Sequence, residues 1–207
     1  MILFIVVLTG SYLLGSIPFG YLIGRIAGID IRKVGSCNVG ATNVVRVLGK
    51  RYGYAVFLLD FFKGFGAVKL SMFLAMRSPP GWTSPELFGI IAAVSSVVGH
   101  SYPLWLKFQG GKGVATSAGA LFALTAIGGL IGIGIWIVIF WLTRYVSVAS
   151  ITAAVLLPVV ILVISCRDER PKAIFYFSLC AAAVVIWRHR SNLSRLMQGT
   201  EPRFTRK

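Results

Sequence analysis

Small polar side chains, glycines and a cation are concentrated in one stretch of an otherwise apolar chain: Gly35-Ser36-Cys37-Asn38-Val39-Gly40-Ala41-Thr42-Asn43-Val44-Val45-Arg46. Glycines let a backbone turn tightly and approach a ligand closely. Ser36, Asn38, Thr42 and Asn43 add short donors, and Thr42 or Asn43 is placed to cap a helix running to about Tyr52. On such a helix Arg46 and Lys50 share a face. Amides exposed at a helix start, with cations one turn on, form an anion site. A plain polar connecting loop is the simpler alternative, but the density of donors favours phosphate binding.

A second stretch, His100-Ser101-Tyr102-Pro103-Leu104-Trp105-Leu106-Lys107-Phe108-Gln109-Gly110-Gly111-Lys112-Gly113, closes one apolar run and opens the next. Gly110, Gly111 and Gly113 around Lys112 suggest a bare-backbone cradle with one cation. It is not a Walker A loop, because Leu106 replaces the first glycine and Gly113 the Ser/Thr. His100 is expected inside its span, about 10 Å from Lys107, either satisfied by a neighbouring helix or serving the loop it precedes. Asp60 and Lys63 stand at i, i+3 within another apolar run. Charges there are costly and face the bundle interior, as an ion pair that fixes packing or with Lys63 reaching a bound phosphate. The tail, Arg188-His189-Arg190-Ser191-Asn192-Leu193-Ser194-Arg195-Leu196, puts Arg188, Asn192 and Arg195 on one face of a continuous helix. A basic cluster after a span ordinarily anchors lipid headgroups, which leaves His189 and Asn192 unexplained. A smaller polar patch runs from Arg144 to Ser150.

The elements that must carry these motifs are membrane helices. The chain has 207 residues, 57% hydrophobic and 13% charged, against roughly 25% charged in soluble domains. It reads as a single all-α membrane domain over 1–207. Net charge is +15, from 21 Lys+Arg against 6 Asp+Glu. Nucleic acid as the partner requires a solvated basic face, which the long apolar runs exclude, leaving anionic lipid or an anionic substrate. The 3 cysteines are sparse and lack metal-ligand spacing. The chain enters its first apolar run directly, as a retained span rather than a signal peptide.

Apolar runs fall at about 2–26, 53–76, 87–106, 114–143, 146–165 and 173–187, and a crossing needs roughly 20 residues. The 114–143 run, interrupted by Gly128 and Gly129, is one long span or a hairpin of two short ones. The connection 25–52, the loop around Lys107 and Lys112, and the tail after 187 are the basic ones. The opposite connections hold Arg77, then Arg167, Arg170 and Lys172 offset by Glu86, Asp168 and Glu169. The positive-inside rule puts the basic set in the cytoplasm. For Lys112 and the tail to share a side, 114–143 must be a hairpin. This predicts seven spans, with the N-terminus outside and the C-terminus cytoplasmic. Gly15-Ser16-Ile17-Pro18-Phe19-Gly20 should kink or break the first span.

Brought to one face, the four polar segments would form a pocket for one or two phosphates beside an apolar bundle able to take a lipid chain. There is no carboxylate pair, no zinc spacing and no HxxxxD acyltransferase signature, since Trp105 and Ser194 stand where the Asp would be. Residue chemistry alone therefore reaches a membrane protein that handles a phosphorylated, lipidic substrate.

Gly-Ser-x-Asn-x-Gly-Ala-Thr-Asn-x-x-Arg from Gly35, Gly-Gly-Lys-Gly-Val-Ala-Thr from Gly110 and Arg-His-x-x-Asn-x-x-Arg-Leu from Arg188 resemble, in order, the bacterial acyl-phosphate:glycerol-3-phosphate acyltransferases, the PlsY family. The likeness runs from Gly15 to Glu201, with Cys37 where the family usually has Gly. The resemblance implies a seven-span inner-membrane enzyme with a cytoplasmic active site and no cofactor or metal. It implies acyl transfer from acyl phosphate to the 1-hydroxyl of sn-glycerol 3-phosphate, giving lysophosphatidic acid and phosphate, without acyl-CoA or acyl carrier protein. It carries Ser36, Thr42, Arg46, Lys112, His189 and Asn192 into the core of the site, with Lys50 and Ser150 as further phosphate contacts. Gly35, Asn38, Gly40, Asn43, His100, Gly110, Gly111 and Arg188 complete the expected binding set. Acyl phosphate has a good leaving group, so orientation and charge stabilisation suffice. The base is His100, His189 or a substrate phosphate oxygen, and the last is preferred because neither histidine shows a carboxylate partner in sequence. A transporter of a phosphorylated solute is the rival class, but its site belongs at mid-membrane, and here the cations cluster at one edge. A non-enzymatic scaffold would leave the three motifs unexplained.

Overall fold

The computed structural model describes residues 1–79, 84–168 and 172–204. Glu169 and Arg170, which bear on sidedness, and the last three residues of the basic tail lie outside them. Among the described residues the regular structure is helical throughout. The chain divides into two compact units, Met1–Leu124 and Thr125–Lys207.

The first unit begins with α1 (Ile2–Ser16) and α2 (Phe19–Ile26). The break between them is local chemistry: Ile17 precedes Pro18 and takes an extended conformation, φ −60° and ψ 115°, because a following proline disfavours the helical region. A 3₁₀ turn at Ile31–Lys33 leads to α3 (Ala41–Leu48) and α4 (Lys50–Met76). The helix expected to run from Thr42 to Tyr52 ends instead at Gly49, whose left-handed φ of 92° starts a new helix. Arg46 and Lys50 consequently do not share a helix face. α5 (Pro85–Ser101) opens on Ser84, whose hydroxyl accepts from Leu87 N–H at 3.4 Å, with Pro85 at the first helical position. A 3₁₀ turn at Leu104–Leu106 and the glycine loop then deliver the chain to α6 (Val114–Leu124).

Two apolar clusters hold this unit. Val7, Ala67, Ala75, Phe88 and Ala92 join α1, α4 and α5. Ile31, Val39, Val44, Val56 and Leu106 form a floor beneath the first polar loop. Small residues let the helices approach closely, as membrane bundles require. Gly15 on α1 abuts the Ser96 backbone, and Gly64 on α4 abuts Thr116.

The second unit contains α7 (Ala126–Thr143), α8 (Val146–Asp168), α9 (Lys172–Arg188) and α10 (Arg190–Met197). The 114–143 run is indeed divided, but at Thr125 rather than at the glycines. The Thr125 hydroxyl accepts from Gly128 N–H at 3.3 Å and caps α7. The tail is not one helix either: α9 stops at Arg188, and His189 is a turn before α10.

Among the described residues, four helical stretches are long and apolar enough to cross a membrane: Ile2–Ile26, Pro85–Leu106, Ala126–Thr143 and Val146–Cys166. The 27 residues of α4 have the length but carry Asp60, Lys63 and Lys69. α6, at 11 residues, rises only about 16 Å, short of a ~30 Å hydrocarbon core. The outward apolar faces fit lipid as solvent, with Ile137, Val138, Trp141 and Leu142 of α7 each more than half exposed.

Candidate active site

The first loop is built around Asn43, which is buried at 1% exposure. Its amide nitrogen donates to the carbonyls of Ile31 (3.1 Å), Val34 (3.0 Å) and Asn38 (2.9 Å). Its oxygen accepts from Ser36 N–H at 2.8 Å. From sequence, Asn43 reads as a phosphate contact and a possible cap. Its side chain instead ties the loop together, and α3 is capped by Gly40 without a side-chain bond. Asn38 shapes the same loop by accepting from Gly40 N–H at 2.8 Å. Gly35, Ser36 and Cys37 are exposed at its crest, while Thr42 and Arg46 are half-buried on α3. Lys50 is exposed at the start of α4. Cys37 has a left-handed φ of 56°, a conformation that glycine adopts without strain. Just before the loop, Asp30 accepts from Arg32 Nε at 2.9 Å and Nη2 at 2.7 Å. That bond, more than the charge of Lys33, holds the Asp30 carboxyl down at about 2.

The second loop is held by backbone and by one buried ring. Gly110 N–H donates to Ser101 O at 3.2 Å and Gly111 N–H to His100 O at 3.1 Å. These bonds fold Gly110 and Gly111 back on the end of α5. Lys112 follows, half-buried, immediately ahead of α6.

Below both loops lies a buried ion cluster. Lys63 Nζ is 2.8 Å from Asp60 Oδ1 and also donates to Ile17 O at 2.8 Å. His100 Nδ1 is 3.5 Å from the same Asp60 oxygen. Asp60 and Lys63 do form an ion pair within the bundle. His100 thus has a carboxylate partner that no spacing along the sequence shows, because it comes from a different helix. A small cleft touches this cluster, lined among others by Ser16, Phe19, Val39, Lys63, His100 and Pro103.

In the second unit the organiser is Glu201, a residue outside the expected site set. Its Oε1 accepts from Ser147 Oγ at 2.8 Å and Asn192 Nδ2 at 2.7 Å, and its Oε2 from Arg195 Nε at 2.8 Å. Burial pushes the Glu201 carboxyl up, but the bonds from Asn192, Ser147 and Arg195 outweigh it and hold it below its ordinary range. His189 is buried, with Nδ1 2.8 Å from Val185 O. A carbonyl only accepts, so the proton sits on Nδ1 and Nε2 presents its lone pair in the neutral ring. Ser150 is buried and accepts from Trp136 Nε1 at 3.0 Å. Arg188 is half-buried at the end of α9. Because His189 interrupts the helix, Arg188, Asn192 and Arg195 do not form the continuous stripe expected of them. Among the described residues no three His, Cys, Asp or Glu side chains gather as a metal-binding set.

The family model for glycerol-3-phosphate acyltransferase matches residues 5–199. The chain belongs to the glycerol-3-phosphate acyltransferase family. A glycerol-3-phosphate acyltransferase of Aquifex aeolicus is 42% identical over 200 residues, covering 94% of this chain and 95% of the relative. One from Synechococcus elongatus is 45% identical over 195 residues, covering 94% and 91%. Among solved structures, the chain is similar to PlsY (YgiH), an integral membrane glycerol 3-phosphate acyltransferase, in its glycerol 3-phosphate form. The TM-score is 0.87 at 40% identity, covering 98% of this chain and 96% of that one. The lysophosphatidic acid form of the same protein gives 0.85 at 40% identity, covering 98% and 95%. The protein is thus an all-helical membrane acyltransferase, as its motifs suggested.

Proposed function

We propose that the protein transfers a fatty acyl group from acyl phosphate to the 1-hydroxyl of sn-glycerol 3-phosphate at the cytoplasmic face of a bacterial inner membrane. The observation that carries this reading is the Asn43-braced loop, which presents Ser36, the Gly35 and Gly40 backbone and the start of α3 with Arg46 on it. A loop held by four bonds of one buried amide side chain is preorganised, as stabilisation of developing charge requires.

In the reaction the acceptor oxygen adds to the acyl carbonyl, and the bond from that carbon to the phosphate oxygen breaks. The hydroxyl proton leaves with inorganic phosphate. Arg46, Lys112 and the amides of 35–40 hold the donor phosphate as its negative charge grows. Asn192, His189, Lys50 and Ser150 serve the acceptor phosphate, with Glu201 fixing the Asn192 amide. A substrate phosphate oxygen takes the proton, being basic enough near neutral pH. His100, although paired with Asp60, has its ring turned against Gly111, which supports that choice over His100. His189 is the remaining side-chain candidate, and unchanged substrate binding with lost turnover in His189→Gln would favour it.

The donor is the finer point to test. Purified protein in detergent, offered glycerol 3-phosphate with acyl phosphate, acyl-CoA or acyl carrier protein, is expected to form lysophosphatidic acid from acyl phosphate alone. Equal product from acyl-CoA would overturn the donor assignment.

A further inference from the structure

The mechanism leaves the Asp60–Lys63–His100 cluster without a role, although charges at such depth are expensive and usually kept for a reason. All three side chains are buried, at 2%, 4% and 7% exposure. One arm of the cluster points toward each polar loop.

The Lys63 arm donates to Ile17 O, the carbonyl at the break between α1 and α2. The ammonium lies 5.5 Å from the centre of the Phe19 ring. One residue on, Gly20 packs so closely on the Val39 carbonyl that a side chain there has no room. Val39 belongs to the first loop and, with Val44, to the apolar floor beneath it. The Lys63 arm thus fixes α2, and α2 fixes the base of the Arg46 loop.

The His100 arm is more direct. A Cβ on Gly111 would strike the imidazole Nε2, with Cε1 at 2.9 Å and Cδ2 at 3.1 Å. The same residue's carbonyl receives the Gly111 N–H. The ring's other edge faces Asp60. The imidazole is therefore a spacer, anchored on a carboxylate and bearing on the backbone just ahead of Lys112.

We infer that Asp60, Lys63 and His100 are positioning residues that set the Lys112 loop and the Arg46 loop against each other for acyl transfer. None of them needs to touch substrate. The inference rests on the proposed reaction, because it assigns both cations to the same phosphate. Asp60 is the common point: its one oxygen meets both arms, so a shift in one loop is felt by the other.

A double-mutant cycle between His100→Ala and Gly111→Ala tests it, read as kcat/KM for phosphate release with melting temperatures alongside. Gly111→Ala pushes the loop off the ring and is expected to cost about 100-fold, the scale of an ångström's misplacement. His100→Ala removes the spacer and is expected to cost about tenfold by the same reasoning. Together they should be no worse than Gly111→Ala alone, because the new methyl occupies the space left by the ring. Independent effects would multiply to about 1000-fold, and that result overturns the inference. Losses explained wholly by a smaller folded fraction, with normal kcat in what remains, overturn it too. Should Gly111→Ala fail to fold alone, folded and active protein on adding His100→Ala supports the inference, and failure to recover it counts against it. An inactive wild type would defeat the reaction, whereas multiplicative losses in an active wild type defeat only the positioning cluster.

Discussion

Asp60 and Glu201 are both buried carboxylates that gather polar partners, yet one sits within a long apolar helix and the other follows the last helix of the chain. Asp60 has a primary ammonium and an imidazole on one oxygen, both buried with it. Glu201 divides its oxygens among a hydroxyl, an amide and a guanidinium whose side chain is 35% exposed. In the first setting all the partners are buried, so removing one leaves a charge poorly compensated. In the second, solvent can reach Arg195 and soften any loss. The comparison separates two ways of holding polar side chains in place: an ion cluster shut inside a helix bundle, and a carboxylate hub with one partner open to solvent.

The difference is sharpest when one partner is removed. Asp60→Ala leaves Lys63 buried without its carboxylate and should destabilise the protein by about 3–5 kcal/mol, read by thermal unfolding in detergent. Removing both charges as Asp60→Leu with Lys63→Met should recover most of that stability while leaving activity low. Recovery of full activity as well would reduce the cluster to packing. Glu201→Ala gives up charge-assisted bonds worth about 1.5–3 kcal/mol, part of it screened at Arg195. It should lower turnover further than stability suggests, because the Asn192 amide loses the acceptor that aims it.

Acid offers a gentler probe of the hub. The Glu201 carboxyl is held below its ordinary value in the folded protein, so the folded state favours the ionised form. Its contribution is complete above the ordinary glutamate range and is lost as pH falls through the depressed folded value. Glu201→Gln should lack this component of acid sensitivity, visible as a flatter melting temperature below about pH 4.5. An identical acid profile in the variant would take the hub out of the account. The smallest effect belongs to Cys37→Gly. Relief of a left-handed backbone saves about 1–2 kcal/mol, and the greater freedom of unfolded glycine takes back about 0.5–1. A slight gain in stability with activity close to wild type is expected, and a loss of stability would contradict the backbone reading.

Much of this was legible along the chain. Pro18 announces the break at Ile17, because the rule acts between neighbours. The density of donors between Gly35 and Arg46 marks the loop, and the sidedness of the basic connections calls for an interruption in 114–143. What the sequence did not disclose depends on direction or distance. An asparagine in a polar loop reads as a ligand contact, and only the fold reveals that the Asn43 amide points inward to three carbonyls. Gly49, a glycine after an apolar turn, is a readable stop, and carrying the helix on to Tyr52 overlooks it. The His100 partner is on α4, and no local spacing could supply it. Glu201 left one clue: a carboxylate in a basic tail, close to where Asn192 and Arg195 would want an acceptor.

The action of Arg46 and Lys112 on the donor phosphate is the step most directly open to measurement. Phosphate release from acyl phosphate and glycerol 3-phosphate should be measured for wild type, Arg46→Ala and Lys112→Ala, each shown by melting temperature to be folded. Wild type should release one phosphate for each acyl group transferred, and each variant should lose about 100- to 1000-fold in kcat. Folded variants that keep rates within a few-fold of wild type would contradict the account.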